Sequence, residues 1–191
     1  HTPFSIQSVS KVLGLTLGLQ ALGASLRDRI GREPSGSAFN SLVQLESERG
    51  KPRNPFINAG ALCVADRLLS AHADPLQAFA DLGLQLHGER FTFDDEVARS
   101  ERETGFRNAA LVNFIKSFGQ IDNDVEAVLA LYCRQCAIVA DCTQLARAFG
   151  YLANGGVQPG TGARIVDREQ ARRVNSVMLT CGTYDAAGEF A

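Results

Sequence analysis

A mostly helical single domain is what this sequence predicts, and three observations carry the prediction. Apolar residues recur at three- and four-residue spacings through most of the chain, and aspartates stand where several of these stretches begin. Strand-like alternation is nearly absent. No repeat, low-complexity tract or linker divides residues 1–191, so one domain is expected.

The elements follow in order. Residues 8–30 read as one long helix stopped by Gly31, and residues 58–69 as a second. Asp74-Pro75 opens a third, with proline at the first helical position and Gly83 or Gly88 as its end. Two shorter helices are expected over 94–99 and 108–118. Those over 124–135 and 141–152 each open on an aspartate that can accept from unpaired backbone N–H groups, and Asn154-Gly155-Gly156 ends the latter. The last helix spans 167–179. Only residues 164–166 have strand character. Two loops, 31–40 and 51–59, mix Pro, Gly, Asn and Ser with held apolar residues. That makeup suits either a binding loop or a plain connector.

Composition narrows the class. The 191 residues are 45% hydrophobic and 21% charged, enough apolar content for a core. Nineteen basic against 21 acidic residues leave a net charge of −2, so neither nucleic acid nor an anionic membrane is an expected partner. Arg168, Arg172 and Arg173 read as a solvated helix face. The apolar run over 12–26 is broken by Gly14, Gly18, Gly23, Thr16 and Gln20, so no membrane span is expected and a cytoplasmic enzyme is the default. Five cysteines, an odd number, suit buried free thiols. Cys133 and Cys136 form a single C-x-x-C without further ligands, and His1, His72 and His87 stand alone, so neither metal nor cofactor is expected. The chain opens at His1 and closes on Glu189-Phe190-Ala191, which reads as the interior of a longer protein.

Ser8-Val9-Ser10-Lys11 is the first chemistry-bearing pattern. At a helix start, residues three apart share a face, so the Lys11 amine can sit beside the Ser8 hydroxyl. A serine needs a base, and a lysine serves once burial lowers its pKa. The pattern is short, and an ordinary N-cap explains most such matches. The apolar helix that follows makes a partly buried lysine the sharper reading.

With its surroundings, the segment becomes specific. Phe4-Ser5-Ile6-Gln7-Ser8-Val9-Ser10-Lys11 resembles the nucleophile segment of the serine-dependent glutaminases. Further collinear matches are Glu33-Pro34-Ser35-Gly36 with Phe39-Asn40-Ser41, Asn54-Pro55-Phe56-Ile57-Asn58-Ala59-Gly60-Ala61, and 100–108 (SERETGFRN). Tyr132 with Cys136, 152–156 (LANGG) and Cys181-Gly182-Thr183-Tyr184-Asp185 complete the series.

The resemblance implies an α+β, serine β-lactamase/transpeptidase-like fold of which this chain covers mostly the helical part. The family's N- and C-terminal sheet segments are expected outside it. It implies Ser8 as nucleophile, Lys11 as its activator and Tyr184 as a catalytic hydroxyl. Ser8, Asn58, Glu101, Asn108, Tyr132 and Tyr184 are the implied substrate contacts. The implied reaction hydrolyses L-glutamine to L-glutamate and ammonia through a Ser8 glutamyl-enzyme, in a homo-oligomer of two or four chains. Each residue also has a plain reading: Glu101 in a surface ion pair, Asn58 and Asn108 as helix caps, Tyr132 in the core. The rival functions are a β-lactamase-like acyl hydrolase and a truncated, non-catalytic glutamine-binding module.

Overall fold

A helix that is apolar on every side belongs in the middle of a domain, and α1 (Ser10–Leu22) lies there. The computed structural model describes residues 2–36 and 38–183. A 3₁₀ turn, Gln7–Val9, leads into α1 and another, Gly23–Asp28, leads out, so the single helix expected over 8–30 is three pieces. The break falls at Gly23, whose φ of 54° ends the α-helical hydrogen bonding.

Against the sequence expectation, the helical run Gln7–Asp28 holds an 18-residue window long and apolar enough to cross a membrane by length and composition alone, with a mean hydropathy of 1.3. Half of it is buried inside the domain. Leu13 and Leu17 are buried in the core and α1 packs against α3 (Asn58–Ala71), the usual placement of a core helix.

The short helix α2 (Val43–Ser47), which precedes α3 in the chain, leaves no periodic signal in the sequence because it spans little more than one turn. Helix α4 (Pro75–His87) runs through Gly83 and stops at Gly88, which adopts φ 93°. Gly83 is required for packing: a Cβ there would lie 2.6 Å from the Phe91 nitrogen. Helices α5 (Asp95–Thr104), α6 (Phe106–Ser117) and α7 (Val125–Cys136) follow. The helix expected over 141–152 divides into α8 (Cys142–Ala148) and α9 (Gly150–Ala153), and α10 (Arg168–Cys181) closes the described chain. Asp74, Asp94, Asp124, Asp141 and Asp167 all accept from first-turn N–H groups, and the last two form capping boxes with Gln144 and Gln170. Each such cap contributes about 1 kcal/mol.

Three short strands, β1 (Phe4–Ser5), β2 (Thr92–Phe93) and β3 (Ile138–Ala140), form an antiparallel sheet in the order β1-β3-β2. Phe4 pairs with Ala140 and Thr92 with Val139. Strands of two or three residues are too short for alternation to register in a sequence. Residues 164–166 contribute only a single bridge, Arg164 to Val157. The small sheet positions the site. β1 runs straight into the turn bearing Ser8, β3 continues from α7, and the Ile6 N–H donates to the Ile138 carbonyl at 2.8 Å.

Candidate active site

Ser8 lies exposed in the 3₁₀ turn ahead of α1, not in the α-helix itself. Three residues per turn keep positions i and i+3 on one side, so the expected proximity to Lys11 survives. Gln7, just before the serine, has φ 48° in the left-handed region, which costs a side-chain-bearing residue about 1–2 kcal/mol. Ser8 and Lys11 line one cleft of about 360 Å³ with Val9, Val12, Phe56, Met178 and Gly182. A larger groove of about 420 Å³ runs between α1 and α10, past Leu19 and Val174. It contains no nucleophile–base pair, so the smaller cleft is the candidate site.

Lys11 is only 3% exposed. Its ammonium donates to the Phe56 carbonyl at 2.9 Å and to the Asn58 Oδ1 at 2.7 Å. Burial disfavours the charged form and lowers its pKa from 10.5 to about 8, while the nearby Cys136 acts the other way. A lysine in this state gives up its proton near neutrality, as a general base must.

The two loops of ambiguous composition prove to be one paired unit. Gly31 N–H donates to the Pro52 carbonyl and Glu33 N–H to the Arg53 carbonyl, each at 2.8 Å. Buried Asn54 accepts from the Phe56 and Ile57 N–H groups and donates to the Glu33 carbonyl. This fixes the strap that presents the Phe56 carbonyl and Asn58 to Lys11. Gly60 completes it, since a Cβ there would lie 1.9 Å from the Asn54 carbonyl oxygen. Neither Asn54 nor the Phe56 carbonyl could be singled out from sequence, where Asn-Pro-Phe reads as turn chemistry.

Asn58 and Asn108 are not caps. Asn58 opens α3, whose cap position is Ile57, and Asn108 is the third residue of α6. The Asn58 amide accepts from Lys11, donates to the Asn108 Oδ1 at 2.9 Å, and accepts from the Tyr132 hydroxyl at 3.4 Å. Tyr132 is 2% exposed, so the core reading of its ring is correct, yet its hydroxyl belongs to this network. Lys11, Asn58, Asn108 and Tyr132, drawn from four helices, therefore meet.

Glu101, half-buried on α5, makes no ion pair or side-chain hydrogen bond among the described residues, while neighbouring Arg102 pairs with Glu126. The surface-pair reading fails. Its field raises the pKa of Cys133 and Cys136, which places the carboxylate toward α7. Burial pushes the Cys136 thiol up to about 12, so it is protonated and not a competing nucleophile. Tyr184 lies outside the described residues. Among the described residues no group of three His, Cys, Asp or Glu could hold a metal.

An exposed serine and a buried lysine that line one cleft at the head of a core helix are the residue types a lysine-activated serine acyl transfer uses. Comparison with known proteins narrows this. The sequence profile described as Glutaminase matches residues 1–191. A glutaminase of Methylobacterium radiotolerans is 55% identical over 195 residues, covering 100% of this chain and 63% of that protein. One of Rhizobium rhizogenes is 55% identical over 193 residues, covering 99% and 62%. The crystal structure of a probable glutaminase of Bacillus subtilis superposes with a TM-score of 0.95 at 35% identity, over 100% of this chain and 62% of that one.

The chain belongs to the glutaminase family, and its fold is the family's α+β, β-lactamase-like one, represented mostly by its helical part. It spans a little over three fifths of the length of the curated relatives, 62–63%.

Proposed function

We propose that this protein hydrolyses L-glutamine to L-glutamate and ammonia through an ester on Ser8. The observation that carries the proposal is Lys11: buried, with its pKa brought down to about 8, and lining the same cleft as an exposed serine. Neutral Lys11 takes the Ser8 proton as Oγ attacks the side-chain amide carbon. The resulting ammonium returns that proton to the leaving nitrogen as the C–N bond breaks and ammonia departs. Water, deprotonated by the same amine, then attacks the glutamyl ester; the C–Oγ bond breaks and Ser8 regains its proton.

Glu101, without an ion pair among the described residues, suits the substrate ammonium. Asn58 spends one amide N–H on Asn108, so the other suits the ligand, and Asn108, which accepts through its oxygen, has its own amide N–H groups as donors. Tyr132 supports Asn58, and Tyr184 enters only through the family resemblance. A homo-oligomer of two or four chains and a cytoplasmic location are proposed with this reading. The five free cysteines favour the location, and light scattering would test the assembly.

The test is ammonia release from L-glutamine by the wild type and by Ser8→Ala, with mass spectrometry of a trapped adduct. Release abolished by the substitution, with a glutamyl mass on Ser8, is expected. Glutamine binding without release would leave a non-catalytic module, and turnover of a chromogenic β-lactam instead would reassign the substrate class.

A further inference from the structure

Beneath the cleft, a buried amide bridges the nucleophile-bearing helix and the helix that carries Tyr132. Gln135, 1% exposed, lies on α7 three residues beyond Tyr132. Its Nε2 donates to the Ser10 Oγ over a long 3.4 Å, and Ser10, fully buried, directly precedes Lys11. The amide also rests on Gly14: a Cβ there would lie 3.0 Å from Oε1 and 3.2 Å from Nε2. It thus spans Ser10 to Gly14, about one turn of α1, over a position that glycine keeps open.

The Oε1 of Gln135 has no hydrogen-bond partner among the described residues. Stability alone does not favour such a group, because an apolar side chain of similar shape avoids the cost of the unmet acceptor. What the amide does supply is a directional link. On the other flank of the serine, Ile6 is tied to Ile138 just past the end of α7. The turn carrying Ser8 is therefore held to β3, which follows α7, before the nucleophile and to α7 itself after it.

We infer that Gln135 is a positioning residue for the Ser8–Lys11 pair, setting the depth and rotation of the first turn of α1 against α7. The inference rests on the serine–lysine reading of the site. Around the Lys11 amine stand Asn58 from α3, the Phe56 carbonyl from the strap and Cys136 from α7, and Glu101 of α5 acts on Cys136. If the turn slips, the amine leaves this setting and water reaches it.

The experiment compares wild type, Gln135→Met, Ser10→Ala and the double variant. It measures melting temperature, kcat and KM for L-glutamine, and the Lys11 titration by lysine-labelled NMR, with the resonance assigned through Lys11→Arg. In Gln135→Met, an unchanged or higher melting temperature and a KM within about twofold are expected, with kcat down about tenfold. The Lys11 midpoint moves upward, toward a solvated amine. Ser10→Ala acts in the same direction, and the double variant loses no more than the worse single one. Wild-type kcat with an unmoved Lys11 midpoint in Gln135→Met, or losses that multiply in the double variant, would overturn the inference. Wild type releasing no ammonia would count against the serine mechanism, while the Lys11 titration in the same samples still decides the positioning role.

Discussion

Asn58→Asp places a carboxylate where the amide oxygen now sits, 2.7 Å from the Lys11 nitrogen. With the amine titrating at about 8, roughly a tenth of it is neutral at pH 7. At the ordinary 10.5 the neutral share would be about 300-fold smaller, so burial acts by raising the fraction of amine free to accept a proton. A carboxylate at this distance raises the amine by about 1 to 3 pH units. The acid limb of kcat/KM should therefore move up by the same amount, and activity at pH 7 should fall about 10- to 1000-fold, recovering as pH rises. Asn58→Ala, which adds no charge, should lose activity without moving the limb upward. The assay is ammonia release from L-glutamine between pH 6 and 10 for the three proteins. A loss in Asn58→Asp that is equal at every pH, with the limb still near 8, would refute the assignment of Lys11 as base.

Lys11 carries a second consequence, in stability. Its folded pKa lies below the unfolded one, so the unfolded chain binds the proton more tightly and the fold carries the cost below about pH 8, relieved as pH rises toward 10.5. The drop corresponds to about 3 kcal/mol, so the difference in unfolding free energy between wild type and Lys11→Met should change by that amount over this window in denaturant titrations. Glu101→Gln should raise KM for L-glutamine about ten- to a hundredfold with an unchanged melting temperature, because no ion pair among the described residues is lost. Asp66 is buried and accepts from the Asp122 and Asn123 N–H groups and from the Asn123 amide while pairing with Arg67. Asp66→Ala should cost about 3–5 kcal/mol by chemical denaturation. Gly60→Ala should displace the strap that holds Lys11, and the expected sign is soluble protein with strongly reduced ammonia release or a sharp loss of yield.

Local chemistry explains what was legible in the sequence. The aspartate caps and Pro75 mark helix starts because a carboxylate or a missing N–H acts within one turn of its own position. Ser8 and Lys11 lie three residues apart, so their proximity is a property of the chain alone. The mostly apolar α1 likewise declares a buried helix. Of the two expected ends of α4, Gly88 is the one used, and the chain near Phe91 folds against Gly83 inside the helix. The expectation failed over 8–30, where the helix breaks at Gly23 through its own positive φ, and at the three strands, which exist only as pairs of distant segments.

The site divides the same way. Residue types at short spacing singled out Ser8 and Lys11 as the proposed nucleophile and base, since hydroxyl and amine chemistry are carried by the side chains themselves. The tertiary structure alone decided how completely Lys11 is desolvated, that Phe56 and Asn58 hold it from 45 and 47 residues away, and that Glu101 is left without an ion pair among the described residues. Burial and hydrogen-bond geometry are properties of several segments at once, and those are the quantities that turn a common serine and lysine into an activated pair.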